Sequence, residues 1–111
     1  MQRDDKVLSM LGLAKRAGKI ESGQFKSERC IKSGQAALVI LSGDVSENTE
    51  KQFRDMCAWR KIPCIAMADR DQLGSCIGQE QRCVLAVTDA SFAGRILELA
   101  GYKPGEATSE I

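Results

Sequence analysis

The chain has 111 residues, 43% of them hydrophobic and 28% charged, with a net charge of +1. These values describe one domain with one core and exclude a collagenous, coiled-coil or disordered chain as the main state. No apolar run approaches the ~18 residues of a membrane helix, and with no apolar core behind Met1–Lys6 no secretory leader is expected.

Histidine is absent, which removes the commonest general base and metal ligand. Five cysteines, an odd number without a CxxC pair, point to a reducing cytoplasm. The charge is uneven along the chain. Residues 1–34 carry eight Lys/Arg against four Asp/Glu, and residues 35–111 carry eight against eleven. A basic first third suggests an anionic partner.

In chain order, Lys6–Ala17 reads as a helix, with Val7, Leu8, Leu11 and Ala14 at helical spacing and Gly18 as the stop. Lys19-Ile20-Glu21 is at most a strand fragment. Ser22 reads as the N-cap of a helix running to about Ser33 and stopped by Gly34. Ala37–Leu41 is apolar without alternation, as in a strand covered on both faces. Ser42-Gly43-Asp44 is a turn, and a helix over about Asn48–Arg60 follows, with Phe53, Met56 and Cys57 on one face. Pro63 limits it, because the residue before proline avoids the helical region. Cys64–Met67 is a second buried strand. Asp69 or Asp71 caps a short helix ended by Gly78. Cys83–Val87 is a third buried strand, and Asp89 caps a last helix whose Phe92, Ile96, Leu99 and Ala100 share a face. Three covered strands alternating with helices imply an α/β sandwich. One domain is expected over residues 1–102, with residues 103–111 a frayed tail.

The chemical constellations are few. Cys57 and Cys64 are seven apart, as are Cys76 and Cys83, but the short knuckle of a zinc site is missing, so core packing explains them and no metal is expected. A nucleophilic cysteine or a serine triad lacks its histidine. Asp69 and Asp71 read as caps, and Gly43 as a plain turn without a Walker or GxGxxG pattern. No cofactor is expected. The basic residues say more. Lys15, Arg16 and Lys19 surround a helix end and turn, and Lys26, Arg29 and Lys32 recur every three residues on the next helix. Its N-terminus offers unpaired amides and Gly23, a combination suited to phosphate oxygens. A solvated helix face accounts for the same residues equally well. Phe25 is the only aromatic residue in this segment.

Taken in order, several motifs resemble a known family. They are Leu11-Gly12-Leu13-Ala14-Lys15-Arg16-Ala17-Gly18-Lys19, Ser22-Gly23, Ala37–Leu41 with Gly43-Asp44-Val45-Ser46, Lys61-Ile62-Pro63, Leu73-Gly74 with Ile77-Gly78, and Ala86-Val87-Thr88-Asp89 with Phe92-Ala93. Over about residues 7–100 the chain resembles the kink-turn-binding ribosomal protein family, the L-seven-Ae/L-thirty-e superfamily, and especially its bacterial members. The resemblance implies a three-layer α/β/α sandwich around a mixed four-stranded sheet and a non-catalytic protein that binds structured RNA. In the family, RNA meets the start of the second helix through a Gly-x-Asn-Glu-x-x-Lys pattern. Laid on this chain, the glycine falls on Gly23, the asparagine on Phe25, the glutamate on Lys26 and the lysine on Arg29. The Asn-Glu pair that reads sheared G·A pairs is thus replaced, and phosphate contacts by Lys26 and Arg29, with stacking by an exposed Phe25, remain. The same phenylalanine is equally explained as a core or staple contact. The family's second contact, the loop after the short helix, reads Gly78-Gln79-Glu80-Gln81-Arg82 here, polar with one cation.

The leading expectation is a ribosome-associated, monomeric, cytoplasmic RNA-binding protein whose partner is structured, ribosomal RNA. Ribosomal or ribosome-assembly proteins are further expected partners. Its expected surface is Lys19, Gly23, Gln24, Phe25, Lys26, Arg29 and Lys32 with Gly78 and Arg82, extended by Lys15 and Arg16. The alternative is a protein-interaction module on the same fold, which the acidic second half favours. An enzyme is the third reading and lacks a recognisable nucleophile or acid/base pair.

Overall fold

The computed structural model describes residues 3–102, and the expected tail at 103–111 lies outside them. Nine elements follow one another: α1 (Arg3–Arg16), β1 (Ile20–Ser22), α2 (Gln24–Lys32), β2 (Leu38–Leu41), α3 (Glu47–Trp59), β3 (Cys64–Ala66), α4 (Arg70–Cys76), β4 (Val84–Val87) and α5 (Ala90–Leu99). The strands form one mixed sheet in the order β1-β4-β2-β3. β2 and β3 are parallel, joined through α3, while β4 runs antiparallel to both β1 and β2.

The two central strands explain their own sequences. Every residue of Leu38–Leu41 and of Val84–Val87 is buried, because helices cover both faces. Alternate residues feed two cores. Leu38, Ile40, Leu85 and Val87 meet Val7, Leu11 and Ala14 of α1, Leu73 of α4 and Ile96 of α5. Val39, Leu41, Val84 and Ala86 meet Cys30 and Ile31 of α2 and Phe53 and Cys57 of α3. The result is a three-layer α/β/α sandwich. Cys30, Cys57 and Cys64 are buried free thiols in the second core.

Several local expectations are sharpened. Ile20 and Glu21 of the expected fragment belong to a true strand, with Ile20 opposite Val87 and Ser22 opposite Leu85, while Lys19 precedes it. Ser22 is therefore the last strand residue, and Gly23 takes the N-cap of α2. α3 begins earlier than expected, because the Ser46 hydroxyl accepts the Thr49 N–H at 3.2 Å. Of the two aspartates offered as the α4 cap, Asp69 serves. Its carboxylate accepts the Gln72 N–H at 2.8 Å while the Gln72 side chain accepts the Asp69 N–H at 3.1 Å. Asp89 caps α5 as expected, accepting from Phe92 N–H at 2.9 Å.

Candidate nucleic-acid interface

β1 ends where β4 begins, and that edge of the sheet carries the start of α2. The Gly23 N–H donates to the Val84 carbonyl at 2.9 Å, closing the ladder one residue beyond Ser22. The chain then turns into α2 with Gly23 at φ 93 and ψ 163, a backbone region essentially restricted to glycine. No side chain caps the helix. The first-turn N–H groups consequently have no intrahelical acceptor and point at the surface, where the helix dipole favours an anion.

The side chains of the first turns divide by register. Ser27, Cys30 and Ile31 are buried against the sheet. Phe25 lies on the opposite side and is 74% exposed, so the staple reading is excluded and its ring is open. The Arg29 guanidinium carbon stands 5.8 Å from the ring centroid, within cation–π range. Lys26 and Arg29 also rim a cleft of about 230 Å³ with Glu21, Cys30, Ser33 and Gln35. Neither cation has a carboxylate partner among the described residues. Burial, and then the Glu21 carboxylate, push the Cys30 thiol up, so the cysteine in this cleft stays protonated at neutral pH.

The second loop adjoins the helix start. The Gln24 amide approaches the Cys83 sulfur at 3.6 Å, and Cys83 follows Arg82 directly. The loop is packed hard onto α4. A Cβ on Gly74 would stand 2.6 Å from the Glu80 carbonyl carbon, so only glycine admits this approach. Gly78 turns the chain at φ 74, and the Arg82 guanidinium folds back to the Gln81 carbonyl at 2.8 Å and the Gln79 side chain at 3.3 Å. Arg82 thus organises its own loop, its side chain lining a pocket with Asp71, Glu80 and Gln81.

The remaining basic residues go elsewhere. Lys32 pairs with Glu28 at 2.9 Å and rims a different groove beside Lys61. Lys19 stands at the opposite end of β1, four extended residues or ~13 Å from Gly23, where its carbonyl accepts the Thr88 N–H. Lys15 and Arg16 end α1 on that same far side. The structure brings together Gly23, Gln24, Phe25, Lys26 and Arg29, leaves Lys15, Arg16, Lys19 and Lys32 apart, and places Gly78 and the Arg82 side chain on the α4 side of the loop, linked to the helix start only through the Gln24–Cys83 contact. Glu21, Ser33 and Gln35, which line the cleft, were missed by sequence reasoning. Their signal was the three-residue strand, whose recognition puts Glu21 on the α2 face opposite Ala86.

Among the described residues, no group of three His, Cys, Asp or Glu side chains is placed to hold a metal ion. None of the described helices is long and apolar enough to cross a membrane.

The model of the "Ribosomal protein L7Ae/L30e/S12e/Gadd45 family" matches residues 5–96. The RNA-binding protein YlxQ of Bacillus subtilis (strain 168) is 42% identical over 90 residues, 81% of this chain and 90% of that one. The RNA-binding protein YlxQ of Enterococcus faecium is 31% identical over 94 residues, 85% of this chain and 90% of its own. Among solved structures, a protein of unknown function from Bacillus halodurans superposes with a TM-score of 0.83 at 38% identity, covering 86% of this chain and 96% of that one. The Giardia lamblia 15.5kD RNA binding protein shares the fold at a TM-score of 0.75 and 17% identity, covering 91% of this chain and 87% of its own. The matched span, the relatives and the shared three-layer architecture agree, and the chain belongs to the ribosomal protein L7Ae/L30e/S12e/Gadd45 family, among its bacterial YlxQ-type members.

Proposed function

We propose that this protein binds structured RNA, ribosomal RNA in particular, without catalysing a reaction on it, and does so as a monomer in the cytoplasm. The observation that carries the reading is the start of α2. There an exposed Phe25 ring, two cations without a carboxylate partner among the described residues and an uncapped helix N-terminus stand together, and Gln24 links them to Cys83 at the end of the loop. The relatives named as RNA-binding proteins support the same reading.

Each residue has a role that its chemistry permits. Gly23 brings the backbone close to the RNA, and the free first-turn amides donate to a phosphate. Lys26 and Arg29 hold neighbouring phosphates. Phe25, backed by the Arg29 guanidinium, stacks on an unpaired base. Gln24 borders the same surface from the loop side, where its amide meets Cys83. With Phe25 and Lys26 in place of the Asn-Glu pair, recognition rests on backbone shape and a splayed base, without amide readout of sheared G·A pairs.

Affinity for a ribosomal RNA fragment, measured across a salt series, tests this. The Lys26→Glu/Arg29→Glu double variant should weaken binding and lower the slope of log K against log salt by up to about 1.8 units. Unchanged affinity and slope would sink the assignment of this surface. Absence of any salt-sensitive RNA retention by the unsubstituted chain would move the reading to a protein-interaction module.

A further inference from the structure

Four of the five helices among the described residues end in the same way. α1, α2, α4 and α5 each place a glycine at the first position beyond the cap, Gly18, Gly34, Gly78 and Gly101, with φ between 74 and 90. The paired return bonds of that motif are present at each. α3 closes with the same two bonds, Lys61 N–H to the Ala58 carbonyl at 3.2 Å and Ile62 N–H to the Cys57 carbonyl at 2.8 Å. Its left-handed residue, however, is Lys61, at φ 58. A glycine would serve the backbone better there, so the lysine brings something other than a helix stop.

Its neighbours indicate what that is. Trp59, two residues earlier, is 79% exposed and is the chain's single tryptophan. Arg60 lies between them, its guanidinium reaching only the Met56 carbonyl at 3.5 Å. Neither Arg60 nor Lys61 pairs with a carboxylate among the described residues. Both line a groove of about 430 Å³ with Lys32, Ala36, Ile62 and Pro63, which no acidic side chain among the described residues lines, and Trp59 precedes Arg60 outside that lining. This groove lies where β2 and β3 begin, separated from the start of α2 by the helix's own ~14 Å length.

We propose that Trp59, Arg60 and Lys61 form a second RNA-contacting surface that takes a single-stranded segment, one base stacking on Trp59 and adjacent phosphates on the two cations. Charge complementarity and an open indole face favour a polyanion that carries flat bases over an acidic peptide. The inference does not depend on the surface at the start of α2.

Trp59 is its own reporter. Titrating the full chain with a short oligouridylate should quench the tryptophan emission saturably, and less so as salt rises. The Arg60→Glu/Lys61→Gly variant should require about tenfold more oligonucleotide or beyond. Lys61→Gly alone should bind more weakly while melting no lower than the unsubstituted chain, which separates lost binding from lost folding. Lys26→Glu/Arg29→Glu should keep the quench, so the two surfaces fail independently. Emission unmoved while a labelled oligouridylate binds would overturn the proposal. So would a normal titration by Arg60→Glu/Lys61→Gly, loss of the quench in Lys26→Glu/Arg29→Glu, or equal quenching by polyglutamate, which would give this face to a protein partner.

Discussion

Gly74→Ala is the substitution on which the loop geometry bears most sharply. In an exposed helix, alanine outranks glycine by about 1 kcal/mol. Gly74 is buried in α4, and its added Cβ would lie 2.6 Å from the Glu80 carbonyl carbon and 3.1 Å from the Gln79 oxygen. Carbon atoms in good contact sit about 3.5–4.0 Å apart, so the Glu80 backbone must retreat by roughly 1 Å or more. That backbone is not free to move. It is tied by the Gln79 N–H bond to the Gly74 carbonyl at 2.9 Å and the Arg82 N–H bond to the Arg70 carbonyl at 3.1 Å. Overpacking costs about 1–3 kcal/mol and weakening one such bond about 1 kcal/mol, against the ~1 kcal/mol helix gain. The net is a destabilisation of about 1–3 kcal/mol, or a fall in melting temperature of roughly 4–12 °C. Gly94 in α5 is the control, because a Cβ there meets nothing within 4 Å. Gly94→Ala should stabilise by about 0.5–1 kcal/mol. Thermal and urea unfolding followed by circular dichroism read both signs. If the two variants gain stability alike, the close approach of the loop to α4 is refuted.

Three other outcomes follow from the same geometry. Asp69→Ala should lose about 0.5–2 kcal/mol in urea unfolding because it removes the α4 cap, whereas Asp71→Ala, bonded only to the exposed Gln81 amide, should stay within about 0.5 kcal/mol of the parent. Phe25→Ala should leave the melting temperature nearly unchanged, since the ring is 74% exposed, yet weaken RNA binding about fivefold or more; a large loss of stability would contradict the exposed placement. Burial pushes the Cys76 thiol up to about 11 and raises that of Cys30. A thiol raised in the folded chain lends stability fully present below the unfolded value near 8.5 and lost as pH rises past it, so Cys30→Ala/Cys76→Ala should flatten the decline in urea midpoint between pH 7.5 and 9.5.

Much of the fold was legible because the cues were local. The unbroken apolar runs at Leu38–Leu41 and Val84–Val87 have one reading in a chain this short, strands covered on both faces. Gly18, Gly34 and Gly78 mark helix ends because they adopt the left-handed turn that closes them. Serine is a good N-cap, so Ser22 reads as one in the sequence, while its tertiary pairing with Leu85 overrides that preference and passes the cap to Gly23. The site was only partly legible. Residues three apart on a helix drift by about 60° per step. Lys26 and Arg29 therefore stay on the β1 side, while Lys32 has turned toward α3 and Glu28 takes it. Whether Phe25 faced in or out depended on the register set by Ser27, Cys30 and Ile31, which only the packed sheet fixes. Trp59 carries no signal by residue type alone, although the spacing puts it off the Phe53–Cys57 face of α3.

Crosslinking with RNA sequencing on the tagged protein in its native cells tests the central claim most directly. The account predicts enrichment of one ribosomal RNA region, with crosslinked peptides from the start of α2, and loss of both in Lys26→Glu/Arg29→Glu. No enrichment over an unrelated small protein, or enrichment that the double variant keeps in full, would contradict it.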